Sequence, residues 1–330
     1  MPESAEPVPS VPSARDTDGV RYAYLGPVGT FAHAAAMALA DNSVRHHVEL
    51  LPWATVTQAI DALRAGEVDG AVVPLENSVE GAVPATLDEL AGTGQALIVA
   101  AETFLPVVFD LLVRRGTTMG DIRTIATHPH AEAQVRRYLL STLPEAGVAM
   151  FGSTAGGAEA VRAGQFDAAV APVVAGELYG LDAIAHDIAD NRGAVTRFVL
   201  LTRPAPPPPP TGNDRTTLVT YLKEDHAGAL LEILTEFSTR GVNLTRIESR
   251  PTKGRIGQYC FSIDCEGHIA EARVGDAIAA LHRVCADVRY LGSYPRADGQ
   301  QGPILLGRTD EEFSEAADWL ARVRATGSAD

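Results

Sequence analysis

The feature that most constrains this chain is a run of six prolines in seven residues, from Pro204 to Pro210. Proline lacks a backbone N–H and has a fixed φ, so such a run stays out of helix and sheet interiors and favours an extended spacer. It predicts a large front domain at 20–203, a linker at 204–213, a smaller rear domain at 214–296 and a C-terminal tail at 297–330. With 330 residues, 46% of them hydrophobic, each part has enough apolar side chains for a core.

The front part alternates short apolar runs (RYAYLG, DGAVVP, TFLPVVFDLLV, TIATHP, AAVAP, TRFVLL) with Ala-rich helical stretches, which predicts an α/β fold with a largely parallel sheet. It also contains an internal echo. Residues 64–74 read RAGEVDGAVVP and residues 162–172 read RAGQFDAAVAP, each a helix end, a glycine C-cap and a buried strand closed by proline. Helix-turn-strand units can converge on such wording; read as a repeat, it predicts two similar α/β lobes, resembling the bilobal small-ligand-binding fold of periplasmic binding proteins, with the ligand in the cleft beyond the strand ends. The segment HDIADNRGAV is expected to cross between them.

The rear part reads as strand 216–222, helix 228–239, strand 243–250, strand 258–265, helix 270–284 and strand 288–294, a ferredoxin-like βαββαβ module. Beyond it, EEFSEAADWLARVRAT places Phe313, Ala317, Leu320 and Val323 on one helical face, expected to pack on another surface.

A formal net charge of −15 argues against nucleic-acid binding, and an anionic ligand would need a local positive field. Four loops offer one. Gly29-Thr30-Phe31, Glu76-Asn77-Ser78, Thr127-His128-Pro129-His130 and Ser153-Thr154-Ala155-Gly156 each put hydroxyls or amides before an expected helix, whose first N–H groups and dipole favour carboxylates. Each loop alone could be plain N-capping. Thr196-Arg197-Phe198 opens the last front strand; there the arginine is a candidate carboxylate fork and the threonine hydroxyl a donor to a leaving oxygen. Three cysteines, Cys260, Cys265 and Cys285, form neither a disulfide framework nor a zinc motif, so no metal is expected. The first 19 residues read as a disordered tail rather than a secretory leader, no apolar run is long enough to span a membrane, and a cytoplasmic location is expected.

The ordered set YLGPVGTF, VPLENSVEGAV, THPHAEAQ, GSTAGGA, TRFVLL, GALLEIL and ESRP resembles bacterial prephenate dehydratases with a C-terminal ACT domain, over about Arg21 to Pro295. The resemblance implies cofactor-free conversion of prephenate to phenylpyruvate, with Thr196, Arg197, Glu76 and Asn77 catalytic. It implies that Thr30, Phe31, Ser78, His130, Ser153, Thr154 and Phe198 bind substrate. It also implies a phenylalanine site at an ACT–ACT interface of a homodimer or homotetramer, formed by Gly228, Ala229, Leu230, Asn243, Glu248, Ser249 and Arg250. Arogenate dehydration and a non-catalytic amino-acid sensor remain alternatives. Val28, Ala32 and His130 depart from the family's usual GPEGTFS and HPQ wording, and Asn191 stands farther from Thr196 than its short Asn-x-Thr-Arg-Phe spacing.

Overall fold

The computed structural model describes residues 19–42, 47–252, 259–300, 302 and 306–327. The first lobe comprises β1 (Val20–Leu25), α1 (Phe31–Asp41), β2 (Val48–Trp53), α2 (Val56–Ala65), β3 (Gly70–Asn77), β4 (Gly81–Ala82), α3 (Pro84–Ala91) and β5 (Ile98–Pro106). The second comprises β6 (Asp110–Val113), β7 (Thr124–Thr127), α4 (Pro129–Thr142), β8 (Gly147–Met150), α5 (Thr154–Arg162), β9 (Ala168–Ala171), α6 (Val173–Tyr179) and β10 (Asp182–Ala185). β11 (Val195–Thr202) then returns to the first lobe.

The sheet orders are β2-β1-β3-β11-β5 and β10-β6-β9-β7-β8. Reading the second in reverse, 8-7-9-6-10, reproduces the first, so the internal echo marks a duplicated topology. Gly66 and Gly164, both near φ +78, turn the two helices into β3 and β9 as their wording required. The sheets are mixed rather than largely parallel. β1–β2, β1–β3, β7–β8 and β7–β9 pair in parallel, whereas β11 is antiparallel to β3 and β5, and β6 is antiparallel to β9 and β10. The reason is the crossing: a strand arriving from the other lobe enters its sheet from the opposite end. For the same reason TFLPVVFDLLV is not one strand. It is divided between β5 and β6, in different sheets, with residues 107–109 passing between lobes.

The rear module is β12 (Asp214–Tyr221), α7 (Ala229–Ser238), β13 (Leu244–Pro251), β14 (Tyr259–Glu266), α8 (Ala272–Val284) and β15 (Asp287–Pro295), ordered β13-β14-β12-β15 and antiparallel throughout. One sheet face buries Leu218, Ile263 and Cys265 against Ile233 and Phe237 of α7 and Leu281 of α8. The other face is not solvated. Val219, Cys260, Leu291 and Tyr294 join Leu63, Val99, Val199 and Leu201 in one core shared with the first lobe. Gly292, at φ +122, sits where a Cβ would meet the Val99 carbonyl at 2.4 Å, so only glycine lets β15 approach β5 this closely.

The tail carries α9 (Asp310–Thr326), started by a reciprocal Thr309–Glu312 capping box. It packs on α8 with only part of the expected face: Phe313 and Val323 are half-buried, while Ala317 and Leu320 are exposed. Among the described residues no helix is long and apolar enough to cross a membrane.

Candidate active site

The cleft between the lobes is a 320 Å³ cavity lined by Thr30, Phe31, Pro74, Asn77, Glu80, Phe109, His128, His130, Gln134, Ser153, Thr154, Thr196 and Phe198, among others. Three of the four anticipated helix starts converge on it. Thr30 caps α1 by accepting from His33 N (3.3 Å), His128 caps α4 by accepting from His130 N (3.2 Å), and Ser153 caps α5 by accepting from Gly156 N (2.9 Å). In α1 and α5 capping and ligand binding are compatible, because the cap engages the third amide while Phe31 N and Thr154 N have no intrahelical acceptor; α4 starts at Pro129, which has no N–H, and its cap takes His130 N.

The fourth loop is different. Glu76-Asn77-Ser78 is the end of β3 and a turn into β4, not a helix start. Asn77 Oδ1 accepts from Val79 N (2.8 Å) and Glu80 N (3.0 Å). With that oxygen committed, the amide orientation is fixed, and Nδ2 donates to Thr196 Oγ1 at 2.8 Å. Ser78 Oγ accepts from Val195 N (2.9 Å), pinning the turn to β11, and Ser78 is not among the cleft-lining residues.

Strand alternation separates the TRF triplet. Thr196, Phe198 and Leu200 face the cleft and α1, whereas Arg197, Val199 and Leu201 face the rear module. Arg197 is 4% exposed. Its Nε donates to Glu102 (2.7 Å), one terminal nitrogen to Asp264, and the other to the Tyr294 hydroxyl (2.7 Å). The expected carboxylate fork in the cleft is thus corrected: all of its donor nitrogens are turned to the other side of the sheet. Glu76 follows it. Leu75 is an extra residue between the pairs Phe198↔Pro74 and Arg197↔Glu76, so Asn77 rather than Glu76 faces the cleft, and the Glu76 carboxylate lies 3.9 Å from Arg197.

Sequence reasoning missed Glu80 and Gln134. Glu80 on the first lobe meets His130 Nδ1 at 3.0 Å and Gln134 Nε2 at 2.9 Å, both on α4 of the second, and so bridges the cleft mouth. The only hint was its place in the turn three residues after Asn77. Burial, then His130, push the His128 imidazole below its ordinary value, with Glu80 opposing. Asn191 lies exposed on the returning crossing segment, outside the cleft lining.

In the rear module, Gly228, Ala229, Leu230 and Ser249 line a second cavity of 250 Å³ with Leu222, His226 and Tyr259. The other expected members lie elsewhere. Arg250 reaches the first lobe, donating to Asp88 at 2.8 Å, and Glu248 shares that strand face. Asn243 precedes β13 at its far end, about 20 Å from Ser249 at strand spacing.

The chain matches the family model described as prephenate dehydratase over residues 22–206 and the ACT domain model over 216–283. It is 53% identical to a prephenate dehydratase of Amycolatopsis methanolica over 308 residues, 92% of this chain and 98% of the relative. The crystal structure of a prephenate dehydratase from Arthrobacter aurescens in complex with L-Phe is 46% identical, covers 93% of this chain and 100% of its own, and superimposes with a TM-score of 0.85. A structure described as a quorum-quenching acylase, GqqA, is 34% identical over 84% of this chain and 97% of its own, with a TM-score of 0.71.

Proposed function

The chain belongs to the prephenate dehydratase family, and from that premise we propose how its cleft divides the work of removing water and carbon dioxide from prephenate to give phenylpyruvate. The observation that carries the reading is the Asn77–Thr196 pair on the cleft wall. Because Thr196 Oγ1 accepts from Asn77, its own proton is directed elsewhere, toward the ring hydroxyl that departs. Asparagine cannot take up a proton, so Thr196 orients and hydrogen-bonds the leaving oxygen rather than acting as a strong acid. The two substrate carboxylates lie against the first amides of α1 and α5, at Phe31 and Thr154, which supply positive field without net positive charge. His130, held by Glu80 across the cleft, is the candidate proton carrier. Loss of carbon dioxide makes the ring aromatic, so no external electron carrier is needed.

We assign the second cavity to half of a phenylalanine site, supported by the L-Phe complex of the Arthrobacter aurescens relative. β13 is an edge of its sheet. Antiparallel self-pairing of that edge about Ile247 sets Asn243 of the partner subunit opposite Pro251, beside Ser249. This accounts for a motif residue that sits apart in one chain, and it makes a homodimer or a tetramer of such dimers the working assembly. The expected location is cytoplasmic.

Phenylpyruvate formation followed by ultraviolet absorbance, with prephenate and arogenate side by side, tests the reaction and its substrate. Turnover of prephenate that survives intact in Thr196→Ala sinks the assignment of Thr196.

A further inference from the structure

Arg197 sits between two functions. It is the chain neighbour of Thr196, yet its guanidinium ends in a buried cluster built mainly by the rear module. Glu102 of β5 accepts from Arg197 (2.7 Å) and from Arg215 of β12 (2.5 Å), and its other oxygen accepts from Ala297 N (3.1 Å). Asp264 of β14 accepts from Arg197, from Arg246 Nε of β13 (2.9 Å) and from Thr217 Oγ1 of β12 (2.8 Å). Tyr294 of β15 accepts from Arg197 and shares a 2.6 Å hydrogen bond with Thr217. Two rear strands, β14 and β15, thus hold Arg197 directly, and β12 and β13 hold the side chains that bind it.

We propose that Arg197 is a positioning residue, through which the placement of the rear sheet sets the orientation of the Thr196 hydroxyl. The three donor nitrogens of its rigid fork each have a different partner on a different strand, so the guanidinium cannot follow one without leaving another. Buried charges that lose a partner are strongly destabilised, so the cluster moves as a unit or not at all. A displacement of β14 and β15 relative to β5 therefore pulls on the backbone of β11 at Arg197, one residue from Thr196 and next to the bulge at Leu75 that aims Asn77. A misplacement of about 1 Å at a reacting group costs on the order of 100-fold in rate. The apolar half of the contact, Leu291 and Tyr294 against Val99, Val199 and Leu201, keeps the two sheets in register while the polar cluster reads their relative position.

The part of the inference that concerns regulation rests on the phenylalanine site proposed above; the positioning role does not. The experiment uses the full chain with Arg197→Lys, which keeps the charge but loses the fork, and Tyr294→Phe, which removes one oxygen and keeps the packing. Steady-state prephenate turnover is measured with and without phenylalanine, alongside a thermal melt. In either variant that melts cooperatively, kcat is expected to fall at least about tenfold while KM stays within about threefold, the pattern of a lost transition-state alignment. The ratio of rates without and with phenylalanine is expected to move toward one. A rise in KM at constant kcat would make Arg197 a substrate ligand and overturn the proposal, as would unchanged kcat in both variants. If phenylalanine leaves wild-type turnover unaltered, the effector reading fails by itself, and the kcat and KM pattern still decides the positioning role.

Discussion

At the residue scale, strand alternation puts Thr196 on the cleft wall and buries its neighbour Arg197 against the rear module. Thr196→Ala is expected to lower kcat by about 100-fold or more, the usual range for removing a positioned proton donor, with Thr196→Ser retaining most activity. Its melting temperature should stay near wild type, because the hydroxyl caps nothing else. His128 supplies a pH test with a definite sign. Its imidazole must be neutral for Nδ1 to accept from His130 N, and its value is held below 6.5 in the fold. Its contribution to stability is therefore complete above about pH 6.5 and is lost as pH falls below that, until the lowered folded value is passed. The protection of amides at the start of α4 against hydrogen exchange, relative to their intrinsic rates, should fall as pH drops below about 6.5, and His128→Asn, which caps without titrating, should flatten that fall. The split of the TRF triplet is legible in the sequence, because neighbours in a strand face opposite ways and Thr196 and Arg197 cannot both address the cleft. That Asn77 rather than Glu76 faces Thr196 was not legible, because it depends on the bulge at Leu75.

At the element scale, the rear module finishes helices and strands of the first lobe. The C-terminal carbonyls of α3 are satisfied from outside it: Arg289 of β15 donates to Leu90 O (2.9 Å) and Gly92 O, and the Tyr221 hydroxyl of β12 donates to Ala91 O (2.6 Å). Arg289→Ala leaves those half-buried carbonyls without their charged donor and should cost about 1–3 kcal/mol, measured by chemical denaturation, with faster hydrogen exchange over α3. Because α3 begins just after the turn that carries Asn77 and Glu80, turnover should fall modestly as well. The helices and most strands were legible from periodicity and glycine stops. β2, β4, β8 and β10 were not, being short or interrupted by proline, and the division of TFLPVVFDLLV followed from a crossing that no local pattern records.

At the scale of the whole molecule, the proline linker suggests independent domains, but the interface is a single core with a charged centre. Burial alone would raise the Asp264 carboxyl, yet Arg197 and Arg246 hold it far below the ordinary carboxylate range. A carboxyl lowered in the fold contributes stability above its unfolded value of about 3.8, and that contribution is lost as pH falls through the lower folded value. Acid unfolding should thus steepen below about pH 4. Asp264→Asn should lose about 3–5 kcal/mol at neutral pH, because two arginines stay buried with one carboxylate fewer, and its acid limb should be flatter. A chain ending at Arg203 exposes Val99, Val199 and Leu201 together with Glu102 and Arg197, and should bind a hydrophobic dye and melt earlier than the full chain; an equal melting temperature would refute the shared core. The sequence by itself determined two α/β lobes, a βαββαβ module and the capped starts of α1, α4 and α5, since each follows from local periodicity or capping chemistry; the weight placed on Thr196 came from the family resemblance. Only the tertiary structure decided what Arg197 does. A buried arginine takes the carboxylates that folding brings within reach, and Glu102 and Asp264 lie 95 and 67 residues away along the chain.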